Sequence, residues 1–172
     1  KEYFISGNIS PVKNELDQII GTVGIFKDIT ELKRNEKKIY NMEYFDRITG
    51  LPNKTLFFDR LKVALNGAKR NCVRLAIIVI DLDNFKTIND TLGHFFGDRI
   101  LKQIAENIKG LVREADTVAR FGGDEFIILQ PGLKDITDVT KVADRILEKF
   151  RSPWVLEGRE YYITASVGIS VY

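Results

Sequence analysis

Arg120-Phe121-Gly122-Gly123-Asp124-Glu125-Phe126 is the stretch on which the reading of this 172-residue chain turns. Val118 precedes it and Ile127, Ile128 and Leu129 follow it, so two apolar, strand-favouring runs meet at a Gly-Gly pair. A tight turn between strands needs positive φ, which glycine adopts at low cost. The stretch therefore predicts a β-hairpin near Asp116 to Leu129. Its cargo is unusual: Asp124 and Glu125 stand side by side where the second strand leaves the turn. Adjacent carboxylates repel each other unless a cation or a substrate proton offsets the cost. Alone, the heptapeptide reads first as a solvated hairpin tip.

Composition narrows the surroundings. The hydrophobic fraction of 44% and the charged fraction of 29% are those of a soluble globular protein. The length suits one ordinary domain, or one domain plus part of another. A net charge of +2 gives no argument for a nucleic-acid polymer or an anionic membrane as partner. The longest apolar run, Leu75 to Ile80, is far too short to be a membrane segment. The N-terminal residues carry no signal-peptide pattern and no initiator methionine, so the chain reads as a piece of a longer protein. Cys72 is the single cysteine; it rules out an internal disulfide and fits a reducing compartment, and a cytoplasmic location is expected for the domain, with membrane anchoring of the parent protein left open. Three sequon matches, at Asn8, Asn53 and Asn89, read as chance without a secretion signal.

Residues 1–30 predict two strands, from about Glu2 to Val12 and from Ile19 to Phe26, with a turn at Asn14-Glu15-Leu16-Asp17. A lone two-stranded ribbon is not stable by itself, so these strands are expected to belong to a sheet that begins upstream. Thr30 is a good N-cap, and Leu32 to Tyr44 predicts a charged helix. Leu32 and Ile39 are seven apart, as are Asn35 and Met42, which suits a connector that pairs with its copy or a solvated linker. Pro11-Val12, Gly21-Thr22-Val23-Gly24-Ile25 and Asp28-Ile29-Thr30-Glu31-Leu32-Lys33 resemble the C-terminal end of a PAS sensor domain. In that family the Asp-Ile-Thr ends the last strand and starts the output helix.

From Asp46 the pattern changes. Gly50 and Pro52 break the helix and Asn53 can cap the next one, which is expected to run to about Lys69 with Leu56, Phe57, Leu61, Ala64, Leu65 and Ala68 on one face. Val73 to Leu82 predicts a strand covered on both faces. A short helical turn reaches Asn89, and an amphipathic helix is expected from Asp98 to about Val112. After the hairpin, Pro131-Gly132 predicts a turn and Ile136 to Phe150 a helix. Two closing strands, Trp154 to Leu156 and Tyr161 to Val171, flank a turn at Glu157-Gly158-Arg159. The fold class is α+β: a mixed central sheet with flanking helices, preceded by a β-ribbon and linker helix. The domains are expected at 1–30, 31–45 and 46–172.

The chemistry-bearing residues gather at element ends. Asp81 lies where a buried strand emerges, and Asp83, two residues on, shares its face in an extended chain. Hard oxygen ligands there suit magnesium, although Asp-Leu-Asp alone reads first as a strand end plus a helix cap. Lys86 can offer a charge to a phosphate. Asn89 and Asp98 bring an amide and a carboxylate, groups able to read a guanine edge or to cap a helix. His94 is the only histidine and reads as a structural residue or a substrate contact.

Their types and order resemble the GGDEF family of diguanylate cyclases. The matching stretches are Asp46-Arg47-Ile48-Thr49-Gly50-Leu51-Pro52-Asn53, Asp81-Leu82-Asp83-Asn84-Phe85-Lys86-Thr87-Ile88-Asn89-Asp90, Gly93-His94-Phe95-Phe96-Gly97-Asp98, the hairpin heptapeptide and Ser166-Val167-Gly168. The resemblance implies a palm-like nucleotide-cyclase fold and condensation of two GTP into cyclic di-GMP with release of two pyrophosphates. It implies that Asp81, the Leu82 carbonyl and Asp124, with Glu125 adjoining, hold magnesium (Mg2+), manganese (Mn2+) being the alternative. Asp124 or Glu125 would assist loss of the ribose 3′-hydroxyl proton, and Lys86 would act on the phosphates. Asn84, Phe85 and Lys86 would line those phosphates, Asn89 and Asp98 would bind guanine, and His94 would be a further GTP contact. Gly122 and Gly123 would leave room for the nucleotide.

The same resemblance implies a homodimer, because each domain holds one GTP, with an upstream sensor domain setting its geometry. Arg113-Glu114-Ala115-Asp116 is similar to the family's RxxD inhibitory site, so Arg113 and Asp116 are expected to bind product. Ile48 and Lys54 depart mildly from the first motif. In the family a further basic helix and terminal strand follow Ser166-Val167-Gly168, so the stretch ending at Tyr172 is expected to be weakly active or inactive by itself. The competing reading is a GTP- or cyclic di-GMP-sensing module that regulates a neighbouring domain, such as a downstream phosphodiesterase.

Overall fold

The computed structural model describes residues 3–172, and the expected strand start at Glu2 lies outside them. The chain divides into two compact units, one through Glu43 and one from Tyr44 to Tyr172.

In the first unit β1 (Ile5–Lys13) and β2 (Ile19–Asp28) pair antiparallel from Ile5↔Asp28 to Lys13↔Ile19. Asn14 closes the turn: its Oδ1 accepts from the N–H groups of Leu16 at 3.0 Å and Gln18 at 2.9 Å. The Phe26 ring lies over Gly7, where a Cβ would fall 2.4 Å from it, so a side chain there would displace the ring. Helix α1 (Thr30–Tyr44) follows. Thr30 does not cap it. Its N–H donates to Asp28 Oδ1 at 2.8 Å, and its buried hydroxyl instead accepts from the Phe4 N–H at 2.8 Å. Asp28 therefore caps the helix, and the Thr30 side chain ties the helix start to the strand lead-in.

The second unit contains α2 (Lys54–Asn71), β3 (Arg74–Leu82), α3 (Phe85–Leu92), α4 (His94–Leu111), β4 (Thr117–Gly122), β5 (Glu125–Leu133), α5 (Thr137–Arg151), β6 (Trp154–Leu156), β7 (Arg159–Tyr161) and β8 (Ala165–Val171). Its main sheet has the order β4-β5-β3-β8, and every described pairing within it is antiparallel. The fold is thus α+β, with β3 in the interior of the sheet.

Alternation along β3 explains why helices cover both faces. Ala76, Ile78 and Ile80 join Phe126 and Ile128 in the larger core, closed by Ile100, Ile104 and Ile108 of α4 and Val139, Val142 and Ile146 of α5. Leu75 turns the other way, with Ala119, Ile127 and Leu129, and meets Phe57 and Ala68 of α2. Asn53 caps α2, its Oδ1 accepting from the Leu56 N–H at 3.2 Å.

Three expectations change. Helix α4 begins at His94 rather than Asp98, because Gly93, at φ +87, breaks the chain from α3 just ahead of it. Pro131-Gly132 is not a turn but part of β5, where the register shifts between Arg74 and Ala76 of the partner strand and Gly132 takes φ +64. A bulge absorbs the two breaker residues without ending the strand. The run from Tyr161 to Val171 is two strands, since β7 pairs with β6 in a small ribbon while β8 joins the main sheet.

Ile78 is fully buried at the centre of the larger core. Ile78→Ala is expected to cost about 2–5 kcal/mol of unfolding free energy, measured by urea denaturation.

Candidate functional site

The end of β3 carries the acids. Asp81 is paired with Glu125 of β5 on one side and Ser166 of β8 on the other, so the three side chains lie in a row on one face. Beyond Glu125 the hairpin loop is Gly123-Asp124, closed by the Gly122↔Glu125 pair. The register shifts between Arg120 and Gly122, which makes Phe121 the extra residue of a bulge, and Gly122 and Gly123 take φ +142 and +53. The loop folds back on β3: the Leu82 N–H donates to the Asp124 carbonyl at 3.4 Å. Burial pushes the Asp81 carboxyl above its ordinary pKa, and the negative charges of Asp124 and Asp83 push it the same way. Asp81 and Asp124 are therefore electrostatic neighbours, drawn from residues 43 positions apart in sequence.

Asp83 is occupied otherwise. Its carboxylate accepts from the hydroxyls of Thr164 at 2.6 Å and Ser166 at 2.8 Å, which hold its pKa low. Its N–H donates to the Thr164 carbonyl at 3.0 Å. Asp83 thus fastens the entry of β8 to the exit of β3.

Among the described residues no three His, Cys, Asp or Glu side chains form a group able to hold a metal ion. An ion at Asp81 and Asp124 would rest on fewer than three such side chains plus carbonyl oxygen. That all-oxygen set fits magnesium, which keeps waters and substrate phosphates among its ligands. Glu125 stands beside the pair in register, and the charges that raise Asp81 are those of Asp124 and Asp83.

The ligand-binding candidates sit around α3. Asn84 turns the chain in the left-handed region, at φ +57, and its carbonyl accepts from the Thr87 N–H at 2.9 Å. No side chain caps α3. Its first N–H groups, at Phe85 and Lys86, are the donors a helix start leaves for an anion. The Phe85 ring is buried and the Lys86 side chain is exposed. His94 and Asp98 are four apart on α4 and so share a face. Asn89 lies against α4 at Gly97, where a Cβ would fall 1.9 Å from its Oδ1. Only glycine at 97 lets the Asn89 amide sit there, next to Asp98. Arg113 and Asp116 lie apart from this group, on the loop before β4. The Asp116 carboxylate accepts from the Arg113 N–H at 3.1 Å and the Gln130 amide at 3.0 Å, and the Arg113 guanidinium lies 3.7 Å from Asp138.

Two positioning residues went unassigned in the sequence reading. Arg120 is 5% exposed. Its Nη1 donates to Asp46 Oδ1 at 2.9 Å, and its Nη2 and Nε donate to the Gly123 carbonyl at 2.6 and 3.2 Å. Asp46 in turn accepts from the Thr49 N–H at 2.8 Å and hydroxyl at 2.7 Å. Burial works to raise Asp46, but the bonds from Thr49 and Arg120 outweigh it and hold the carboxyl below its ordinary range. The signal was present in sequence: Arg120 interrupts an apolar run, Val118-Ala119-Arg120-Phe121, where a charge must find a partner.

An antiparallel sheet with carboxylates where its inner strands end and uncapped helix donors beside them defines an α+β domain with its polar groups gathered at one end of the sheet. A family model described as "Diguanylate cyclase, GGDEF domain" matches residues 43–172, and the chain belongs to that family. It is 38% identical over 143 residues to the bifunctional diguanylate cyclase/cyclic di-GMP phosphodiesterase MucR of Pseudomonas aeruginosa, covering 83% of this chain and 21% of that protein. It is 38% identical over 144 residues to the cyclic di-GMP phosphodiesterase NbdA of the same organism, covering 84% of this chain and 18% of that protein. Among solved structures, the GGDEF domain of TpbB (YfiN) from Pseudomonas aeruginosa superposes with a TM-score of 0.72 at 42% identity, covering 75% of this chain and 76% of that one. The chain spans about a fifth of the length of those two curated relatives.

Two outcomes test the site's supports. Asp46 has a lowered folded pKa, so its stabilisation is present above the ordinary carboxylate range, about pH 4, and is lost as pH falls through the folded value. Asp46→Asn is expected to be less stable than the parent at pH 7, with the gap narrowing in thermal melts below about pH 4. Gly97→Ala is expected to retain the fold by circular dichroism while GTP affinity drops several-fold in calorimetric titration, because Asn89 must vacate its place.

Proposed function

We propose that the chain is the catalytic domain of a diguanylate cyclase, condensing two GTP into cyclic di-GMP. The observation that carries the reading is the approach of the Asp124 loop to Asp81, beside the uncapped start of α3. In each half-reaction the 3′-oxygen of one GTP attacks the α-phosphorus of the other. The bond formed is 3′-O to phosphorus; the bond broken joins that phosphorus to the bridging oxygen of the leaving pyrophosphate. Asp124 or Glu125 takes the 3′-hydroxyl proton, the role of a carboxylate positioned beside the reacting hydroxyl. The N–H groups of Phe85 and Lys86, the Lys86 ammonium and the Asn84 turn hold the phosphates in line. Asn89 and Asp98 orient guanine, His94 contacts the nucleotide, and Gly122 and Gly123 leave the hairpin open to it. Asp81, Asp124 and the Leu82 carbonyl, with Glu125 adjoining, are the groups for Mg2+ or Mn2+, which when bound neutralises charge on the attacking and leaving oxygens.

One GTP per domain makes catalysis a property of a homodimer. In this reading the ribbon β1–β2 is the end of an upstream PAS sensor domain, and α1, with Leu32, Ile39 and Met42 exposed along it, is the connector that sets the two domains face to face. Arg113 and Asp116 bind the product and slow the enzyme, and the domain works in the cytoplasm. A second reading has one observation in its favour: NbdA, 38% identical to this chain, is named as a phosphodiesterase. By analogy this domain would bind GTP or cyclic di-GMP and regulate a phosphodiesterase partner.

Incubation of the full-length protein with GTP and Mg2+, followed by chromatography, separates the two. Cyclic di-GMP that disappears in Asp124→Ala supports the cyclase. Nucleotide binding without product supports the sensor.

A further inference from the structure

Thr164 and Ser166 carry two hydroxyls that no step of the reaction uses. Both donate to Asp83: the Thr164 hydroxyl to Oδ2 at 2.6 Å and the Ser166 hydroxyl to Oδ1 at 2.8 Å. Each carboxylate oxygen thus has its own short, charge-assisted bond, and the group is held toward β8.

The pairing of β8 with β3 does not need these bonds. Its ladder runs from Ala76↔Val171 to Leu82↔Ala165, and the Asp83 N–H continues it to the Thr164 carbonyl at 3.0 Å. Those contacts are all between backbones. What the hydroxyls add is a direction for the Asp83 carboxylate. Ser166 stands opposite Asp81 in register, and the charges of Asp83 and Asp124 both bear on Asp81. An Asp83 without its hydroxyl partners would therefore be a third carboxylate beside Asp81 and Asp124.

Carboxylate number separates the hard cations. Magnesium takes few carboxylates and completes a small octahedron with waters and substrate phosphates, whereas calcium takes about six to eight oxygens and its affinity rises with the count of charged ligands. We propose that Thr164 and Ser166 are specificity-determining residues of the metal site: by holding Asp83 toward β8 they keep a third carboxylate out of the ion's ligand set. That arrangement favours Mg2+ over Ca2+ and leaves ligand positions for nucleotide phosphate. The proposal rests on the reading of Asp81 and Asp124 as the metal-holding groups.

Metal titrations of the full-length protein test it. Ca2+ binding is read by calorimetry. Mn2+ uptake is read from the paramagnetic resonance signal of the free ion, in the presence of a GTP analogue with a methylene bridge between its α and β phosphorus atoms. Binding that Asp81→Asn abolishes is assigned to the site. The double variant Thr164→Val/Ser166→Ala is expected to bind Ca2+ there about tenfold more tightly than the parent, and Asp83→Asn added to it to restore the parental value. A clamp with no bearing on the ion would lower thermal stability and leave Ca2+ affinity where it was. Unchanged Ca2+ affinity in the double variant, with Mn2+ uptake at the site intact in the parent, therefore overturns the proposal and leaves the metal reading standing. A gain that survives Asp83→Asn also overturns it. No uptake of Mn2+ at the site by the parent overturns both. If the double variant fails to fold, Ser166→Ala decides: a gain of about threefold is expected, and none overturns the proposal.

Discussion

The guanidinium of Arg120 is the constraint around which the second unit is arranged. A cation taken out of water is costly unless its donors are used, and breaking one partner of a buried pair typically costs about 3–5 kcal/mol. Here the donors reach in two directions, to Asp46 and to the Gly123 carbonyl. Asp46 belongs to the turn before α2, where its N–H donates to the Leu51 carbonyl at 2.8 Å and the Gly50 N–H donates to its carbonyl at 2.9 Å. The Arg120 N–H meets the Pro52 carbonyl at 2.9 Å. One side chain therefore locks the entry turn to the hairpin loop, and the loop is what carries Asp124.

Register does the rest. Because side chains alternate along a strand, a slip of one residue between β3 and β5 would send Asp81 to the opposite face from Glu125. Packing forbids the slip: it would also turn Ile78 and Ile80 out of the core they share with Phe126 and Ile128. Apolar residues in the middle of the sheet thereby fix the placement of acids at its end. Asp83 secures the other side through Thr164 and Ser166.

Much of this could be read before any coordinates. Helical spacing of apolar residues located α2 and α5, an unbroken β-branched apolar run located β3, and Gly122-Gly123 between two apolar runs located the hairpin. Glycine and proline misled where tertiary pairing overrode local preference, as at Pro131-Gly132, kept inside β5 by its partner β3. Thr30 misled because two capping chemistries were adjacent and Asp28 took the role. In the site, Asp81 and Asp124 were legible as acids at element ends. Their meeting was implied by the family resemblance but not by spacing, because it depends on a fold-back of the hairpin loop. The occupation of Asp83 by two hydroxyls some 80 residues away could not be seen from spacing. Nor could the need for glycine at 97, which is set by Asn89 on another helix.

The pairing of β3 with β8 also bears on how the domain comes into being. Leu75 and Tyr172 exchange backbone hydrogen bonds, and Leu82 pairs with Ala165, so the interior strand waits for a partner more than 80 residues further along the chain. Such long-range closure is slow compared with helix formation or a hairpin such as β4–β5. Until β8 docks, the helices and the β4–β5 hairpin can exist, yet Asp83 lacks its clamp and one edge of β3 stays bare. A chain in which β8 has not yet paired with β3 thus carries the residues of the site without the Asp83 clamp.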